Sequence, residues 1–406
     1  MRIGRFAVRF RYPPKPDLLL VEVQRSPQLW SVCDDLDCEA YPLTERLIIL
    51  RFRYVFYLLW FAVRTHRMAA LLCARVRSQG IRVVVTMENH DKFNKLDPSH
   101  PERNNRRDPN RTLFDDVTKQ VPELKVFLIQ HGQELRRFST TRSAKDVTLF
   151  CWGDWTARNF PMFGRNEKHF VSVGALVDGL YRLIRPSVEV KDVSICLVST
   201  VKGKSWWGSE IDERRKGYEQ LAAYVHRFST EESRVVNVAL TIDRDQYGVG
   251  DAESERKWFL DRLGESIQFT EPSLLFGDQN FTDHGRQTPR YVKERYASYF
   301  LSDRAEMTLG MTSSVLWESF GRGNKVLAVN LTDNPIYDFP ISGIWSMRQP
   351  SYEQFAARMR QLLAMPQHDW LELTRETRFD LIAYRDDAPP HVLINQHLRK
   401  VLDELR

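Results

Sequence analysis

Cysteine, glycine and proline are scarce in this sequence. Its 406 residues include 5 Cys, 19 Gly and 19 Pro, while 42% of residues are hydrophobic and 28% are charged. These proportions exclude collagen-like, low-complexity and wholly disordered chains. The composition is that of a globular protein, and at about 100 to 200 residues per domain it predicts two or three domains.

The five cysteines are odd in number and scattered, and no apolar leader precedes them. This pattern fits a reducing cytoplasm best. Cys33 and Cys38 flank the sequence DDLD, which suggests a metal clip. Because no second Cys or His pair stands at zinc-ligand spacing, we expect no metal there.

Long hydrophobic runs are also absent. The most apolar stretch, Tyr54 to Val63, has about ten residues, whereas a membrane-spanning helix needs about twenty. Its length favours a buried core helix. The alternative is a helix in the lipid headgroup layer, since cationic side chains that would meet lipid phosphates flank it: Arg51, Arg53, Arg64, His66 and Arg67.

Acidic residues are outnumbered by basic ones. The chain has 59 Lys and Arg against 53 Asp and Glu, a net charge of +6 and a pI near 9.0. This balance favours anionic partners such as nucleotides, phosphorylated lipids or nucleic acid. The Arg-rich segment 104–111 has no interleaved aromatic residues, and no RNA-binding or DNA-binding fold signature is visible. We therefore expect no nucleic-acid partner.

Strand and helix patterns alternate twice along the chain. Apolar runs such as Ile81–Thr86 and Lys125–Gln130 predict buried strands in the first half, and Val193–Thr200 and Lys325–Asn330 predict them in the second. Helices between such strands imply parallel pairing with both faces covered. We predict an α/β fold of two Rossmann-like domains facing each other across a cleft, with boundaries at 1–187 and 188–406 and the ligand at the carboxyl ends of the strands.

Helical periodicity fills the intervals between these strands. An apolar run from Leu47 to Val76 predicts helix in the first half. In the second half the pattern predicts helices over Glu210–Arg227, Ala252–Leu263, about Thr288–Ser302, Tyr352–Leu363 and His391–Leu405.

A hydroxyl-rich turn in segment 308–330 is the clearest candidate site. The pattern predicts a strand, then Thr312, Ser313 and Ser314, then a helix. Hydroxyls at a helix N-cap, free backbone amides and the positive end of the helix dipole together form a site for phosphate. Glu318, about one turn further on, would face the same side and accept hydrogen bonds from ribose hydroxyls. The alternative is a plain serine cap with a solvated glutamate.

Polar residues follow two predicted strands of the first half. His131 and Gly132 come directly after a buried strand, where glycine permits close backbone approach and histidine can donate to a developing negative charge or shuttle a proton. Glu88 and Asn89 occupy the equivalent end of the preceding strand. Glu88 is a candidate base or binder of the acceptor hydroxyl. A structural hydrogen bond for His131 and a helix cap for Glu88 are the alternatives.

In the second half a cationic turn, Lys202, Gly203 and Lys204, follows the first strand and suits a phosphate or carboxylate. It lacks the glycine spacing of a Walker A motif. Asp212 and Asp243 are the carboxylates that we consider as nucleophile or charge stabiliser at the anomeric carbon of a sugar. Asp-x-Asp triplets occur twice, about as often as chance predicts, so we expect no metal.

Together these residues resemble a known family. The tandem α/β halves, the QHG turn (130–132), the WGDWTARNF and VGALVDGLYR segments and above all TSSVLWESFGRGNKVLAVN resemble GT-B glycosyltransferases of bacterial surface polysaccharide biosynthesis. Within them, the retaining β-Kdo transferases of lipopolysaccharide O-antigen and capsule assembly are the most similar. The resemblance implies a CMP-Kdo donor, transfer without a metal or other cofactor, and a lipid-linked glycan acceptor.

The resemblance also implies roles for individual residues and a location. Ser313 and Ser314 would hold the CMP phosphate, Glu318 the ribose, and His131 and Gly132 would border the reacting sugar. An Asp carboxylate would attack the anomeric carbon before the acceptor hydroxyl displaces it, which gives retention. The protein would be cytoplasmic and peripheral on the inner membrane, and work beside partner glycosyltransferases is left as an open alternative.

Two departures from the family pattern leave alternatives open. Relatives often carry Asp-Asn where this chain has Glu88 and Asn89, and Gln-Asn-Gly where it has Gln-His-Gly. The first alternative is a transferase of the same fold that uses a UDP-hexose or CDP-polyol donor. The second is a non-catalytic α/β protein that binds a glycan.

Overall fold

The chain divides into two compact units: Met1–Leu180 with Ala383–Arg406, and Tyr181–Ile382. The predicted boundary at residue 188 lies close to this division, but the C-terminal segment predicted in the second domain belongs to unit 1. The computed structural model describes residues 2–3, 6–9, 14–21, 27–33, 35–41, 47–49, 51–65, 67–87, 113–132, 147–163, 167–185, 191–200, 209–240, 252–264, 267–269, 282–283, 286–287, 290–385 and 387–406.

The described strands, in chain order, are β1 (Arg2–Ile3), β2 (Phe6–Arg9), β3 (Leu18–Val21), β4 (Cys38–Tyr41), β5 (Leu47–Ile49), β6 (Val83–Thr86), β7 (Lys125–Ile129), β8 (Val147–Cys151), β9 (His169–Ser172), β10 (Val193–Val198), β11 (Val236–Ala239), β12 (Ile267–Phe269), β13 (Thr282–Asp283), β14 (Arg286–Gln287), β15 (Ala305–Gly310), β16 (Val326–Asn330) and β17 (Ser346–Arg348).

The described α-helices are α1 (Phe52–Ala62), α2 (Arg67–Gln79), α3 (Leu113–Gln120), α4 (Asp154–Asn159), α5 (Leu176–Ile184), α6 (Ser209–Glu231), α7 (Ala252–Leu263), α8 (Arg290–Arg304), α9 (Ser314–Gly321), α10 (Tyr352–Ala364), α11 (Gln367–Leu381) and α12 (Pro390–Leu405). A 3₁₀ helix covers Pro27–Cys33.

Each unit is built on a parallel six-stranded sheet. The strand order is β4-β3-β6-β7-β8-β9 in unit 1 and β12-β11-β10-β15-β16-β17 in unit 2. Every neighbouring pair in both sheets is parallel. Strands β3, β6, β11 and β16 are buried throughout, as the continuous apolar runs require. The predicted α/β class with two units is confirmed, while the facing of the two domains across a cleft stays a prediction.

The first helical run differs from its prediction. Residues 47–76 form strand β5 and two helices, α1 and α2, instead of one continuous helical segment. Helix α2 is buried along most of its length, and its Arg75 is paired there with Glu39. Helix α1 buries only one face, through Tyr54 and Phe61. The interpretation of 54–63 as a wholly buried core helix is therefore wrong for the outer face of α1.

The C-terminal segment returns to unit 1 through close contacts with the sequence around α5. A Cβ atom at Gly179 would lie 2.5 Å from Cδ of Pro390, so α12 can begin there only against a glycine. Tyr384 donates a hydrogen bond to the buried carboxylate of Asp178. The Asn395 side chain donates to the carbonyl of Val32 at 3.0 Å, which joins α12 to the 3₁₀ helix.

Cys33 and Cys38 form a disulfide bond. The other three cysteines, Cys73, Cys151 and Cys196, are free and buried. The two thiols whose spacing suggests a metal clip are thus bonded to each other.

Within the described ranges, no three His, Cys, Asp or Glu side chains come together as a metal ligand set. No helix in the described part of the chain has both the length and the hydropathy needed to cross a bilayer.

Candidate functional site

The sheet of unit 2 has a topological switch point between β10 and β15. The chain leaves β10 towards β11 on one side and returns to β15 on the other. In open α/β sheets such a reversal opens a crevice at the carboxyl ends of the two strands, because the following loops diverge. Ser199 and Thr200 follow β10 there, and residues 311–313 follow β15.

The N-terminus of α9 lies beside this switch point. Ser313 is the N-cap residue, with extended backbone, and its Oγ accepts a hydrogen bond from the amide of Val315 at 3.2 Å. The predicted serine cap is therefore confirmed as local structure. Ser313 and Ser314 are half-buried. The first-turn amides of a helix point outward from its N-terminus and favour an anion.

Arg214 adds a cation at the same turn. Its Nη2 atom lies 3.5 Å from the carbonyl oxygen of Thr312, and its guanidinium lies 5.8 Å from the ring centroid of Tyr337. Gly217, about one turn later in α6, permits close packing of α6 against the loops that follow β15 and β16. A Cβ atom there would stand 2.7 Å from Cγ2 of Thr332 and 3.3 Å from Sδ of Met311.

Sequence reasoning missed Arg214. The available signal was an arginine three residues before a glycine, on one face of the helix that follows the cationic turn 202–204.

Two buried hydroxyls flank the switch point without a hydrogen-bond partner among the described residues. They are Oγ1 of Thr200, after β10, and Oγ1 of Thr312, after β15. An unsatisfied buried hydroxyl costs about 1 to 3 kcal/mol, so a hydrogen-bonding group at this edge of the sheet would be stabilised by both.

The end of β10 is held in place by buried side chains. The Ser199 hydroxyl donates to the carboxylate of Glu255, and the Tyr218 hydroxyl donates to the carbonyl of Val198 at 2.8 Å. Burial raises the pKa of Tyr218 well above its ordinary value, so this hydroxyl stays protonated as a donor. These contacts fix the backbone position from which segment 201–208 departs.

Glu318 lies one turn into α9 but is buried. Its carboxylate accepts a hydrogen bond from the Tyr299 hydroxyl at 2.7 Å. In this structure the carboxylate is thus engaged in the interior of unit 2. Its predicted contact with a ribose stays a prediction.

In unit 1, His131 and Gly132 follow β7 as predicted, and Gln130 holds their turn. The buried Gln130 side chain accepts from the amide of Trp152 at 2.9 Å and donates to the carbonyl of Gly132 at 3.1 Å. The Trp152 indole donates to the Gln130 carbonyl at 3.3 Å. This double bridge ties the turn after β7 to the end of β8 and positions the half-buried His131.

Replacing Gln130 by methionine should destabilise this turn. The change leaves the amide of Trp152 and the carbonyl of Gly132 without their buried partner, so we expect the free energy of unfolding to fall by about 1 to 3 kcal/mol. Urea unfolding of the full chain measures this. Gln361→Met, at an exposed position of α10, is the control. Equal stability of the two variants would contradict the bridging role of Gln130.

The remaining predicted site residues are placed only in part. Asp212 lies in α6, two residues before Arg214, but its side chain is outside the described structure. Six others also lie outside the described residues: Glu88, Asn89, Lys202, Gly203, Lys204 and Asp243. Within unit 2 the structure places Arg214 against Thr312, the residue before Ser313 and Ser314. His131 and Gly132 belong to unit 1.

No protein-family model matches the chain, and the sequence matches no curated protein at a significant level. Solved structures that resemble it include the UDP-GlcNAc 2-epimerase of Methanocaldococcus jannaschii, with 10% identity over 89% of this chain and 99% of that chain and a TM-score of 0.41. Alr3699/HepE of Anabaena, in complex with UDP and glucose, has 9% identity over 96% and 99% of the two chains and a TM-score of 0.44. The wall teichoic acid polymerase TagF with CDPG has 10% identity over 96% and 90% and a TM-score of 0.43. At these identities and TM-scores the similarities assign neither a family nor an activity.

Proposed function

We propose that this chain is a glycosyltransferase whose nucleotide-sugar donor binds at the carboxyl edge of the unit 2 sheet. The observation that carries the proposal is the capped N-terminus of α9 at the switch point, with Arg214 beside it. Backbone amides, serine hydroxyls and a guanidinium are the groups that bind phosphate oxygens. The buried hydroxyls of Thr200 and Thr312 offer further hydrogen bonds to the same ligand.

This arrangement suits departure of a nucleotide from a sugar. Negative charge grows on the phosphate oxygens as the glycosidic bond breaks, and fixed donors at that position stabilise the charge. Lys202 and Lys204 follow β10 in the sequence and would add cations at this edge of the sheet. A carboxylate from Asp212 or Asp243 would stabilise or trap the oxocarbenium-like carbon, and Glu88 and Asn89 would bind the acceptor hydroxyl.

The finer form of the proposal comes from the sequence resemblance. The donor is CMP-Kdo, transfer proceeds with retention through two displacements, and the acceptor is a lipid-linked glycan at the cytoplasmic surface of the inner membrane. A UDP-hexose or CDP-polyol donor would use the same phosphate-binding groups. The identity of the nucleotide therefore has to be measured.

A thermal-shift series with CMP, CMP-Kdo, UDP and CDP tests the donor. The cognate nucleotide stabilises the folded chain by about RT ln(1 + [L]/Kd), so at a hundredfold excess over Kd the gain is about 2.7 kcal/mol. Stabilisation by CMP and CMP-Kdo, followed by product formation with a glycan acceptor, supports the finer proposal. Stabilisation by UDP or CDP alone would assign a different donor nucleotide. No response to any nucleotide would overturn the proposal that the chain is a glycosyltransferase.

Arg214→Met should weaken nucleotide binding at least about tenfold, because one charge-assisted hydrogen bond is worth about 1.5 to 3 kcal/mol. Isothermal titration of the nucleotide measures this. Arg215→Met is the matched control on the same helix, since Arg215 pairs with Glu219 at 2.9 Å. Equal nucleotide affinity of the two variants would show that Arg214 does not bind the nucleotide.

A further inference from the structure

The outer face of α1 carries a stripe of exposed apolar side chains. Five residues, which we call the aromatic stripe, recur at helical spacing along one face. Their exposed fractions are 85% for Phe52, 52% for Phe56, 66% for Leu59, 49% for Trp60 and 82% for Val63. Contiguous apolar surface of this kind marks a binding surface.

The orientation of this stripe is fixed by the opposite face of α1. Tyr54 and Phe61 are buried in the core of unit 1, so the helix cannot rotate to hide its outer side chains. The stripe is also ordered as a stack. The ring centroids of Phe52 and Phe56 are 6.4 Å apart, and those of Phe56 and Trp60 are also 6.4 Å apart.

Positive charge stands at both ends of the stripe. Arg51 and Arg53 lie at the start of α1, and Arg64 lies just past its end, with its guanidinium 3.3 Å from the ring centroid of Trp60. The sequence has no Asp or Glu between Glu45 and Glu88, while that interval contains eight arginines. Cations at a helix N-terminus oppose the helix dipole, so an anionic partner would relieve this repulsion.

A groove runs beside the stripe. It has a volume of about 480 Å³ and is lined by aromatic rings of α1, by Gln120 and by two arginines, Arg64 and Arg77. Arg77 is paired with Glu123. The groove therefore has an apolar wall with the Arg64 cation at its side. A phospholipid has the complementary groups, an apolar acyl chain and an anionic phosphate.

We propose that the aromatic stripe of α1 binds the surface of an anionic lipid bilayer. The rings enter the headgroup layer, and Arg51, Arg53 and Arg64 contact lipid phosphates. Charge decides against a second copy of this chain as the occupant. A symmetric interface would place these arginines against their own counterparts, and no acidic residue of the same stretch would balance them.

The aromatic stripe gives the membrane association of the proposed function a defined surface. Vesicle binding is measured without nucleotide or acceptor. A failure to bind vesicles would therefore not contradict the proposed donor site, and a failure to bind nucleotide would not contradict membrane binding by the aromatic stripe.

Cosedimentation of the full chain with vesicles tests the proposal. We expect binding to vesicles of three parts phosphatidylcholine to one part phosphatidylglycerol, little binding to phosphatidylcholine alone, and release between about 0.1 M and 1 M salt. The triple variant Arg51→Gln, Arg53→Gln, Arg64→Gln should bind about 100-fold more weakly, because each cation near an anionic surface contributes about fivefold.

The apolar contribution is tested by Phe56→Ser with Trp60→Ser, which should weaken binding at least about tenfold. The matched control is Leu373→Ser with Phe379→Ser, two exposed apolar residues of α11, and Arg375→Gln is the charge control. Brominated lipid should quench the wild type more than Trp60→Phe, which keeps the stripe but removes its indole.

Several outcomes would overturn the proposal. These are equal binding to neutral and anionic vesicles, unchanged binding of either stripe variant, or equal quenching of wild type and Trp60→Phe. A dimer in solution that the Phe56→Ser, Trp60→Ser variant dissociates would instead assign the stripe to a second copy of the chain.

Discussion

Replacing Arg322 by methionine should lower the free energy of unfolding by about 3 to 5 kcal/mol, because the change removes the buried cation from the Asp303 carboxylate and leaves only the part-exposed Arg185, 3.6 Å away. The Arg322 side chain is fully buried, and its Nε lies 2.8 Å from Oδ1 of Asp303. Asn324 and Tyr181 donate to the same carboxylate at 2.6 Å and 2.9 Å. Urea unfolding of the full chain measures the loss.

The pH dependence of this loss follows from Asp303. Burial by itself would raise the pKa of Asp303, but Arg322 and the hydrogen bonds from Asn324 and Tyr181 outweigh burial and hold that pKa below its usual value. The stabilisation is therefore present above the unfolded-state pKa of about 3.9 and is lost as the pH falls through the folded-state pKa. The difference between wild type and Arg322→Met should be largest near neutral pH and should narrow below about pH 4.

The exposed pair of Arg304 and Asp192 in the same unit provides the control. Its Nε and Oδ1 atoms are 2.7 Å apart, but both side chains reach solvent. Arg304→Met should cost less than about 1 kcal/mol, since water screens such pairs. A similar loss in both variants would show that burial adds nothing to the Asp303 pair.

Much of the sheet architecture was predictable because it depends on local pattern. Buried parallel strands are continuous apolar runs, and the predicted Val193–Thr200 and Lys325–Asn330 contain β10 and β16. The prediction for α7 has the same bounds as the helix, Ala252–Leu263. Helix α11 was missed because only three of its side chains, those of Trp370, Thr374 and Leu381, are buried, which leaves a weak apolar period.

Which face of a helix is exposed to solvent was less predictable than the presence of the helix. The segment YVFYLLWFAV is apolar on all sides, and a sequence pattern cannot show which face meets the core. In the structure Tyr54 and Phe61 are in the core while the aromatic stripe is exposed. The return of α12 to unit 1 was missed for a similar reason, because it depends on the contact between Gly179 and Pro390, 211 residues apart in the chain.

In the candidate site, too, the residues placed by local sequence were predictable, and those placed by contacts with other segments were not. Ser313 was predictable because a cap is a local arrangement of a hydroxyl and an amide two residues on. Arg214 was not, because its position at Thr312 depends on the packing of α6 against loops about 100 residues away. Glu318 was expected at the surface of the site, but it is buried, and its carboxylate accepts a hydrogen bond from Tyr299 of α8.

His131→Ala should lower kcat for sugar transfer by about 10²- to 10⁴-fold, the usual range for loss of a positioned proton-transfer group. The sequence resemblance implies that His131 borders the reacting sugar, and Gln130 holds the turn of His131 against Trp152. Because the proposed phosphate-binding groups are other residues, Ser313, Ser314 and Arg214, the Kd of the nucleotide should not change. Steady-state kinetics and titration on the same preparations separate the two quantities.

The matched control is His169→Ala. His169 is an exposed histidine at the amino end of β9, in the same sheet as β7, whereas His131 follows the carboxyl end of its strand. It should leave both kcat and Kd unchanged, because reacting groups in parallel sheets gather at the carboxyl ends. Gln130→Met should give an intermediate fall in kcat, since it loosens the turn but keeps the imidazole. If kcat is unchanged in His131→Ala while the melting temperature falls, His131 is a structural hydrogen-bonding residue. Another residue then transfers the reacting proton.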